Sequence, residues 1–395
     1  MEPASNQSRR DFLKQSAAMS GALVVGFHLP PALAAGESAK AMAASGAAPE
    51  INAWVVISPD DRVLVRVARS EMGQGSFTGL PMLVAEELEC DWKHVRAEYA
   101  SPNEHVRRNR VWGSMATGGS QSIRSSQAYL RQAGATAREM LIAAAAQKWG
   151  VPAGECTAAA SVITHKTSGR TVRFGEVASA ASKLAPPREV KLKEPKDWKL
   201  IGKSMPRFDI PNSVTGKTIY GIDVQLPGMV YAAVAQCPVF KGKLKSADAA
   251  KIQGMRGVLQ VASLDDAVAV IADSWWRAQQ ALKALPVEWD TGPNGSATTE
   301  SIREFVRSGL DDPGAAVARR EGDVDAALAS AAKVIEADYF APFLAHATME
   351  PMNCTAWLRD GRVEVWAPTQ NAEATLATAA ATAGVPPDKV EVHKV

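Results

Sequence analysis

The sequence predicts an α+β protein in which mixed sheets alternate with helices. Short segments of alternating apolar and polar residues, typical of half-buried strands, recur between stretches of helical periodicity. Of the 395 residues, 46% are hydrophobic and 22% are charged, which argues against a disordered chain or one with many membrane spans. A chain of this length can form more than one domain, each with its own core.

The first predicted unit covers residues 49–185. The pattern first predicts a hairpin of Ile51–Ile57 with Arg62–Arg69, then a helix with Leu80, Leu83, Val84 and Leu88 on one face. A strand at Val95–Tyr99 and an alanine-rich helix from Ser122 to Trp149 follow. The unit ends with a hairpin around Gly169 and a short helix after Gly175. Gly150 and Pro152 end the long helix. A stretch rich in Pro, Lys and Glu follows, and we place a linker at 186–200.

The second predicted unit, 201–292, is a smaller α+β domain. Its pattern predicts a hairpin turn at Thr215–Lys217, strands at Met229–Cys237, Val258–Ala262 and Ala267–Ile271, a helix at Ser274–Leu285 and a strand at Val287–Trp289. A largely helical connecting region, 293–333, comes next. The last segment, 334–395, predicts strands at Val334–Phe340, Thr355–Leu358 and Arg362–Trp366, a helix at Ala372–Ala383 and a strand from Val390. Because Val395 lies inside that strand, we expect a portion of a longer protein.

Charge and cysteine content exclude two classes of function. There are 44 Lys and Arg against 42 Asp and Glu, so the net charge of +2 leaves no surplus to neutralise nucleic acid, and we expect no such partner. The four cysteines stand singly, at Cys90, Cys156, Cys237 and Cys354. They form no CxxC motif, so we expect any redox metal to be held by groups other than thiolates.

The N-terminal segment, 1–48, is typical of an export signal followed by a linker. Arg9 and Arg10 resemble the twin-arginine motif, and the apolar run 17–29 that follows is too short to span a bilayer of ~30 Å. We therefore expect export to the periplasm, with cleavage near Ala35 or retention both open. A basic solvated tail before a buried helix is the alternative.

The stretch Glu71–Gly75 is the first candidate site. It lies between a predicted strand and a helix that begins near Ser76 or Thr78. Glycines let a backbone approach a ligand, and a helix N-terminus offers unpaired N–H groups to phosphate. The amide of Gln74 suits the edge of a heterocycle. An ordinary tight turn is the alternative.

Two further stretches carry polar groups. Gly113–Ser122 leads into the long helix with hydroxyls and backbone amides that suit an anion, with Ser120 or Ser122 as its N-cap; a plain capped helix is the alternative. In His346–Asn353, the spacing of His346 and Glu350 fits two metal ligands on one helix. The neighbouring prolines make a helix there improbable, and a hydrogen-bonded core histidine is the alternative.

The order of these features resembles one family, the molybdopterin-binding large subunit of the xanthine dehydrogenase and aldehyde oxidase superfamily. The branch is typified by the isoquinoline 1-oxidoreductase beta subunit. The resemblance runs from Arg9 to Val395. It rests on the export signal, the Met-Gly-Gln-Gly and Thr-Gly-Gly-Ser loops, Phe208–Pro211, Val214–Lys217, His346–Pro351 and Trp366–Asn371.

The resemblance implies a fold and a domain order. Molybdenum-binding segments with mixed sheets would flank a small α+β hammerhead domain at 201–292. The segment 49–185 would bind molybdopterin, in a permuted or duplicated order, and 334–395 would begin a molybdenum-binding domain.

The resemblance also implies the cofactor and its contacts. The cofactor would be molybdopterin cytosine dinucleotide, and its molybdenum would have no ligand in this chain. Gly73, Gln74 and Gly75 would approach the pterin, and Thr117, Gly118, Gly119, Ser120 and Ser122 would bind the pyrophosphate or cytosine end. No catalytic residue is assigned, because the family's glutamate is expected beyond Val395. A glutamine that some relatives place two residues before His346 is Leu344 here.

The implied function is a molybdenum hydroxylase that oxidises aldehydes or N-heteroaromatic compounds with oxygen from water. Electrons would pass to a small subunit with two-iron, two-sulfur clusters, with a cytochrome as a further acceptor left open. We expect the chain to be inactive without a C-terminal half. The alternative is a non-catalytic truncated remnant or an exported binding subunit.

Overall fold

The computed structural model describes residues 49–395. The strands are β1 Glu50–Asn52, β2 Val55–Ile57, β3 Val63–Val67, β4 Val95–Tyr99, β5 Cys156–Ala159, β6 Val162–His165, β7 Thr171–Arg173, β8 Tyr231–Gln236, β9 Lys243–Ala247, β10 Val258–Ser263, β11 Ala267–Ala272, β12 Val287–Asp290, β13 Thr355–Arg359, β14 Arg362–Ala367 and β15 Val390–Lys394. The helices are α1 Ser76–Leu88, α2 Pro102–Arg107, α3 Gln121–Arg124, α4 Gln127–Trp149, α5 Phe174–Ala181, α6 Ile210–Ser213, α7 Trp275–Ala284, α8 Thr299–Ser308, α9 Val324–Ala329 and α10 Ala372–Ala383. This mixture confirms the predicted α+β class.

The described residues form two compact units. One unit comprises 49–224 together with 350–395, and the other comprises 225–349. The predicted export signal and its linker, 1–48, lie outside the described residues.

The first unit is built on a four-stranded sheet in the order β1-β2-β3-β4. β2 and β3 form the predicted antiparallel hairpin, but the predicted strand Ile51–Ile57 is broken into β1 and β2, which pair with each other. β3 and β4 are parallel, and α1 makes the connection between them. Val63, Val65 and Val67 are buried because alternate residues of β3 face the same side of the sheet. Helices α1 and α4 pack in the same core, which positions the loop before α1 at one end of the sheet.

The predicted long helix is interrupted in the structure. Residues 121–124 form α3, and α4 begins only at Gln127. The Ser125 hydroxyl donates to the carbonyl of Gln121 at 2.6 Å and accepts from Arg69 at 3.0 Å. Side-chain bonds of this kind compete with the helical pattern, so the prediction of one helix from Ser122 to Trp149 was wrong at its first turn.

The predicted linker 186–200 contacts α1 through a buried carboxylate. Glu86 accepts a hydrogen bond from the Lys193 ammonium at 2.7 Å and from the backbone N–H groups of 199–201 at 2.6–3.1 Å. Burial by itself raises the pKa of Glu86, but these donors together outweigh it and hold the pKa below its usual value. The segment is therefore held against α1 by these hydrogen bonds. The domain ranges inferred from the sequence remain predictions.

The C-terminal part of the first unit is a sheet in the order β13-β14-β15 beside α10. Val363, Val392 and Leu376 lie in its small core. The Asn371 side chain accepts from the N–H of Ala374 at 3.1 Å and begins α10, which spans the residues that the sequence predicts.

The second unit has its own core. A sheet in the order β10-β11-β8 and the pair β12-β9 surround Ile252, Val268 and Ala281, with α7 packed on them. β9 was not predicted, because its sequence Lys-Leu-Lys-Ser-Ala is short and two of its five residues are charged.

Two further predicted elements, at 334–340 and 215–217, differ from the structure. Residues 334–340 are exposed and irregular, although their alternation predicts a strand, because no strand of the described residues pairs with them. Residues 215–217 form a turn after α6, closed by the bond from Lys217 N–H to the Asn212 carbonyl at 2.9 Å, and no described strand flanks it. Glycine at 216, with φ +67°, serves that turn.

Candidate functional site

The loop before α1 folds around the carboxylate of Glu71. One oxygen accepts from the N–H groups of Gly73 at 2.7 Å and Gly75 at 2.9 Å, and the other from that of Phe77 at 2.9 Å. The two glycines have φ angles of +109° and +86°, which explains why glycine stands there. The expectation of unpaired N–H groups at this helix end was therefore wrong: an internal carboxylate already occupies it.

The amide of Gln74 is engaged within the same loop. Its oxygen accepts from the N–H of Met72 at 2.7 Å, and its nitrogen donates to the carbonyl of Ser70 at 2.9 Å. A primary amide has two donors and two acceptor lone pairs, so one of each remains for a ligand. The assignment of Gly73, Gln74 and Gly75 to the pterin stays a prediction.

Arg207 contacts this loop from a distant part of the chain, and sequence reasoning missed it. Its guanidinium donates to the Gly73 carbonyl at 2.7 Å and contacts the Glu71 carboxylate at 3.2 Å. It also pairs with Asp209 at 2.5 Å, and this bond is the largest of the influences that together lower the pKa of Asp209. The sequence feature that could have pointed to Arg207 is its position directly before the Phe208–Pro211 motif.

The second loop, 117–122, is open. A Cβ added at Gly118 would meet no atom within 4 Å, and Gly118, Gly119 and Ser120 are exposed. The N–H groups of these three residues make no hydrogen bond within 49–395. Ser120, with φ +54°, occupies the N-cap position of α3, but its side chain makes no capping bond; Ser122 lies inside α3.

Three distant segments meet where the two loops come together. The Thr117 hydroxyl accepts from the N–H of Ser70 at 2.7 Å, across 47 residues, and the Ser70 hydroxyl donates to the carbonyl of Thr369 at 2.6 Å, across 299 residues. The Thr117 N–H and C=O in turn bond Gln370 at 2.7 and 2.9 Å. Thr117 is thus buried in the junction, whereas 118–120 face outward. The assignment of 117–122 to the pyrophosphate stays a prediction.

Arg69 lies beneath this junction, and sequence reasoning missed it as well. Its guanidinium donates to the Ala116 carbonyl, to the Ser114 hydroxyl at 3.2 Å and to the Ser125 hydroxyl at 3.0 Å. Only 5% of the residue is exposed. It therefore supports the whole segment from which the second loop projects.

The third candidate stretch has a different character. Residues 346–350 are not helical, as the prolines predict, and His346 is exposed. Glu350 accepts from the N–H of Ile222 and from the Asn353 amide, each at 3.0 Å. Within 49–395 no group of three or more His, Cys, Asp or Glu side chains is arranged to hold a metal, and all four cysteines are free thiols.

One structural finding bears on membranes. In the described part of the chain, 49–395, no helix combines the length and the apolar character that crossing a bilayer requires.

The chain is similar in sequence to known proteins. Residues 13–223 match a family model described as a molybdopterin cofactor-binding domain, and residues 310–395 match a second model of the same description. The chain is 31% identical to the beta subunit of isoquinoline 1-oxidoreductase from Brevundimonas diminuta, over 98% of this chain and 54% of that protein.

Two other relatives extend the comparison. A membrane-bound aldehyde dehydrogenase (pyrroloquinoline-quinone) of Gluconacetobacter polyoxogenes is 32% identical over 85% of this chain and 44% of that protein. A nicotinate dehydrogenase subunit of Pseudomonas putida is 29% identical over 90% of this chain and 30% of that protein. The chain thus spans about half, or less, of the length of these relatives. The resemblance inferred from the sequence is confirmed, and the chain belongs to the molybdopterin cofactor-binding family of xanthine oxidase-type subunits.

Proposed function

We propose that this chain is the cofactor-binding portion of a molybdenum hydroxylase that oxidises aldehydes or N-heteroaromatic compounds. Its relatives carry the names of isoquinoline, aldehyde and nicotinate oxidoreductases, which supports this pair of substrate classes. The observation that carries the proposal is the bond between Ser70 and Thr117, which joins two glycine loops inside the matched range 13–223.

The second loop fits the anionic end of such a cofactor. Its outward residues offer three unbonded N–H groups at 118–120, and no side chain fills the space outside Gly118. Backbone N–H groups in open loops of this kind bind phosphate oxygens. We infer that 118–120 hold the pyrophosphate of a pterin dinucleotide, in which we expect the base to be cytosine.

The first loop fits a neutral part of the cofactor. Because the Glu71 carboxylate occupies the N–H groups of Gly73, Gly75 and Phe77, a phosphate there would meet like charge. The remaining donor and acceptor of Gln74 suit the pterin heterocycle instead. When bound, the molybdenum group supplies the two-electron redox chemistry of hydroxylation, with water as the oxygen source.

The electron path and the location are further parts of the proposal. The single cysteines of this chain provide no cluster ligands, so electrons would leave through a separate subunit with two-iron, two-sulfur clusters, and a cytochrome remains an open further acceptor.

The paired arginines at 9 and 10 support export of the folded protein to the periplasm. No residue of this chain is assigned as the general base.

The test is the molybdenum and pterin content of the protein, purified after co-expression with its candidate iron–sulfur partner. We expect close to one molybdenum per chain by inductively coupled plasma mass spectrometry, and an equal amount of pterin by fluorescence. Gly118→Trp should reduce both by filling the loop. Gly154→Trp is the matched control, because Gly154 also has open space and ordinary φ.

Two results would contradict the proposal. Molybdenum far below one equivalent in the unaltered protein would favour the non-catalytic remnant or the exported form that only binds. Equal loss in the Gly118 and Gly154 variants would show that the loop 117–122 is not the cofactor contact.

A further inference from the structure

Arg69 is a buried cation whose partners are all neutral. Its three hydrogen bonds go to the carbonyl of Ala116 and the hydroxyls of Ser114 and Ser125. Its Nε atom is buried and has no partner, and no carboxylate within 49–395 forms an ion pair with the residue. Removing a charge from water is costly unless an opposite charge lies nearby.

Other poorly exposed arginines of the same unit have carboxylate partners. Arg66 pairs with Glu50 at 2.5 Å, and Arg131 pairs with Glu87 at 2.8 Å. Arg69 is less exposed than either, yet it has no such partner among the described residues. A bound anion would supply the opposite charge that the described residues do not.

The second loop is the place where that group can bind. The loop continues directly from Ala116, whose carbonyl accepts from the Arg69 guanidinium. Residues 118–120 are exposed, and their N–H groups make no hydrogen bond within 49–395. Three of the four arginines in the surrounding segment 106–124 pair with glutamates outside it, and Arg124 forms no ion pair within 49–395. The unpaired charges of Arg69 and Arg124 and the free N–H groups favour an anion.

We propose that Arg69 is the counter-charge of a phosphate or pyrophosphate group bound on loop 117–120. The guanidinium bonds the carbonyl directly before the loop and acts in two ways: it holds the carbonyl of Ala116 and the hydroxyls of Ser114 and Ser125 in place, and its charge attracts the anion. Arg69 is thus a positioning residue. This inference rests on the proposed function and adds the residue that makes the site selective for anions.

The first test uses the cofactor-free chain without substitutions. Its thermal unfolding midpoint is followed against sodium pyrophosphate, sodium phosphate and cytidine diphosphate, with sodium chloride at matched ionic strength as the reference. We expect a saturable rise with pyrophosphate and none with chloride. Tighter binding of cytidine diphosphate than of pyrophosphate would identify a nucleotide end, and equal binding would identify the pyrophosphate group alone; both support the proposal.

The second test uses charge-matched variants and calorimetric titration with pyrophosphate. Arg69→Gln should weaken binding by about tenfold or more, whereas Arg69→Lys, which keeps the charge but not the planar guanidinium, should weaken it less than Arg69→Gln. Gly118→Asp should also weaken binding by about tenfold or more through repulsion, while the isosteric Gly118→Asn stays within about threefold. The Gly118 pair decides the matter if the Arg69 variants do not fold, because Gly118 is exposed with open space around it.

The proposal is overturned if pyrophosphate acts no more strongly than chloride, or if Arg69→Gln or Gly118→Asp binds it as well as the unaltered chain. Its failure is separate from that of the proposed function. A protein that carries one molybdenum per chain but binds pyrophosphate equally well with and without Arg69 would reject only this inference. Arg69-dependent pyrophosphate binding without molybdenum would reject only the hydroxylase.

Discussion

Glu71 shapes its loop because one carboxylate satisfies the N–H groups of Gly73, Gly75 and Phe77 and also faces Arg207. Removing such an acceptor leaves donors without partners and an arginine without its charge. The side chain is 8% exposed, so water replaces it poorly.

We predict that Glu71→Ala lowers the free energy of unfolding by about 2–3 kcal/mol. Urea denaturation followed by tryptophan fluorescence measures it. Asp60→Asn, at an exposed ion pair with Arg62, is the control and should change it by less than about 1 kcal/mol. Equal effects of the two substitutions would show that the carboxylate does not hold the loop.

Lys394 is a second residue whose burial has a measurable consequence. Its ammonium lies 3.9 Å from the centre of the Tyr99 ring, and its Nζ has no hydrogen-bond partner among the described residues. The ring favours the charged form, but desolvation outweighs it and lowers the pKa from 10.5 to about 7. Between these two values the folded chain binds fewer protons than the unfolded chain, so stability rises with pH there.

We predict that the thermal unfolding midpoint of the unaltered chain rises from about pH 7 to about pH 9.5 relative to that of Lys394→Met. Methionine fills similar space without the charge, so the difference between the two curves isolates the amine. Lys389→Met, at an exposed position, should follow the unaltered chain. A curve for Lys394→Met parallel to that of the unaltered chain would show an ordinary lysine pKa.

At the scale of elements, the close approach of α1 and α4 depends on one glycine. A Cβ at Gly134 would lie 2.3 Å from the carbonyl oxygen of Val84 and 3.1 Å from the side chain of Glu87. The backbone of α1 cannot yield without separating the two helices. Glycine is therefore required at this contact, although alanine is the better helix former.

We predict that Gly134→Ala lowers the free energy of unfolding by about 1–3 kcal/mol, because overpacking outweighs the gain in helix propensity. Gly154→Ala, where a Cβ meets nothing within 4 Å, should change it by less than about 0.5 kcal/mol. Urea denaturation of both variants tests this, and a stabilised Gly134→Ala would disprove the contact.

At the scale of the whole molecule, the parts of the described chain differ from one another in how well they are packed. Helix α4 lies in the largest core, whereas the irregular residues between α8 and β13 are largely exposed. Backbone that lacks packing and regular hydrogen bonds opens at little cost and reaches a protease.

We predict that limited trypsin digestion cuts first, among the described residues, at Arg319, Arg320 and Lys333. Mass spectrometry of early time points identifies the sites. Arg131 and Arg138 in α4 should be cut only after global unfolding, since each pairs with Glu87. Early cleavage in α4 would contradict this order of stability.

Regular elements were predictable where one face is buried. Val63, Val65 and Val67 alternate as β3, and Ala372–Ala383 repeats as α10, because burial on one side imposes the period of the backbone on the sequence. Where burial is weak, the same patterns failed: β9 was missed, and 334–340 has no strand partner among the described residues.

The sequence by itself determined the α+β class, most of the helices and strands, and the family, because these depend on local periodicity and on the order of short motifs. Only the tertiary structure decided that Glu71 closes its own loop, that Ser70, Thr117 and Thr369 meet, and that Arg69 is buried without a carboxylate partner among the described residues. The Glu71 carboxylate bonds N–H groups only 2 to 6 residues away, whereas Ser70 bonds residues 47 and 299 positions away. Contacts over such separations arise from how the chain packs, and they leave no periodic trace in the sequence.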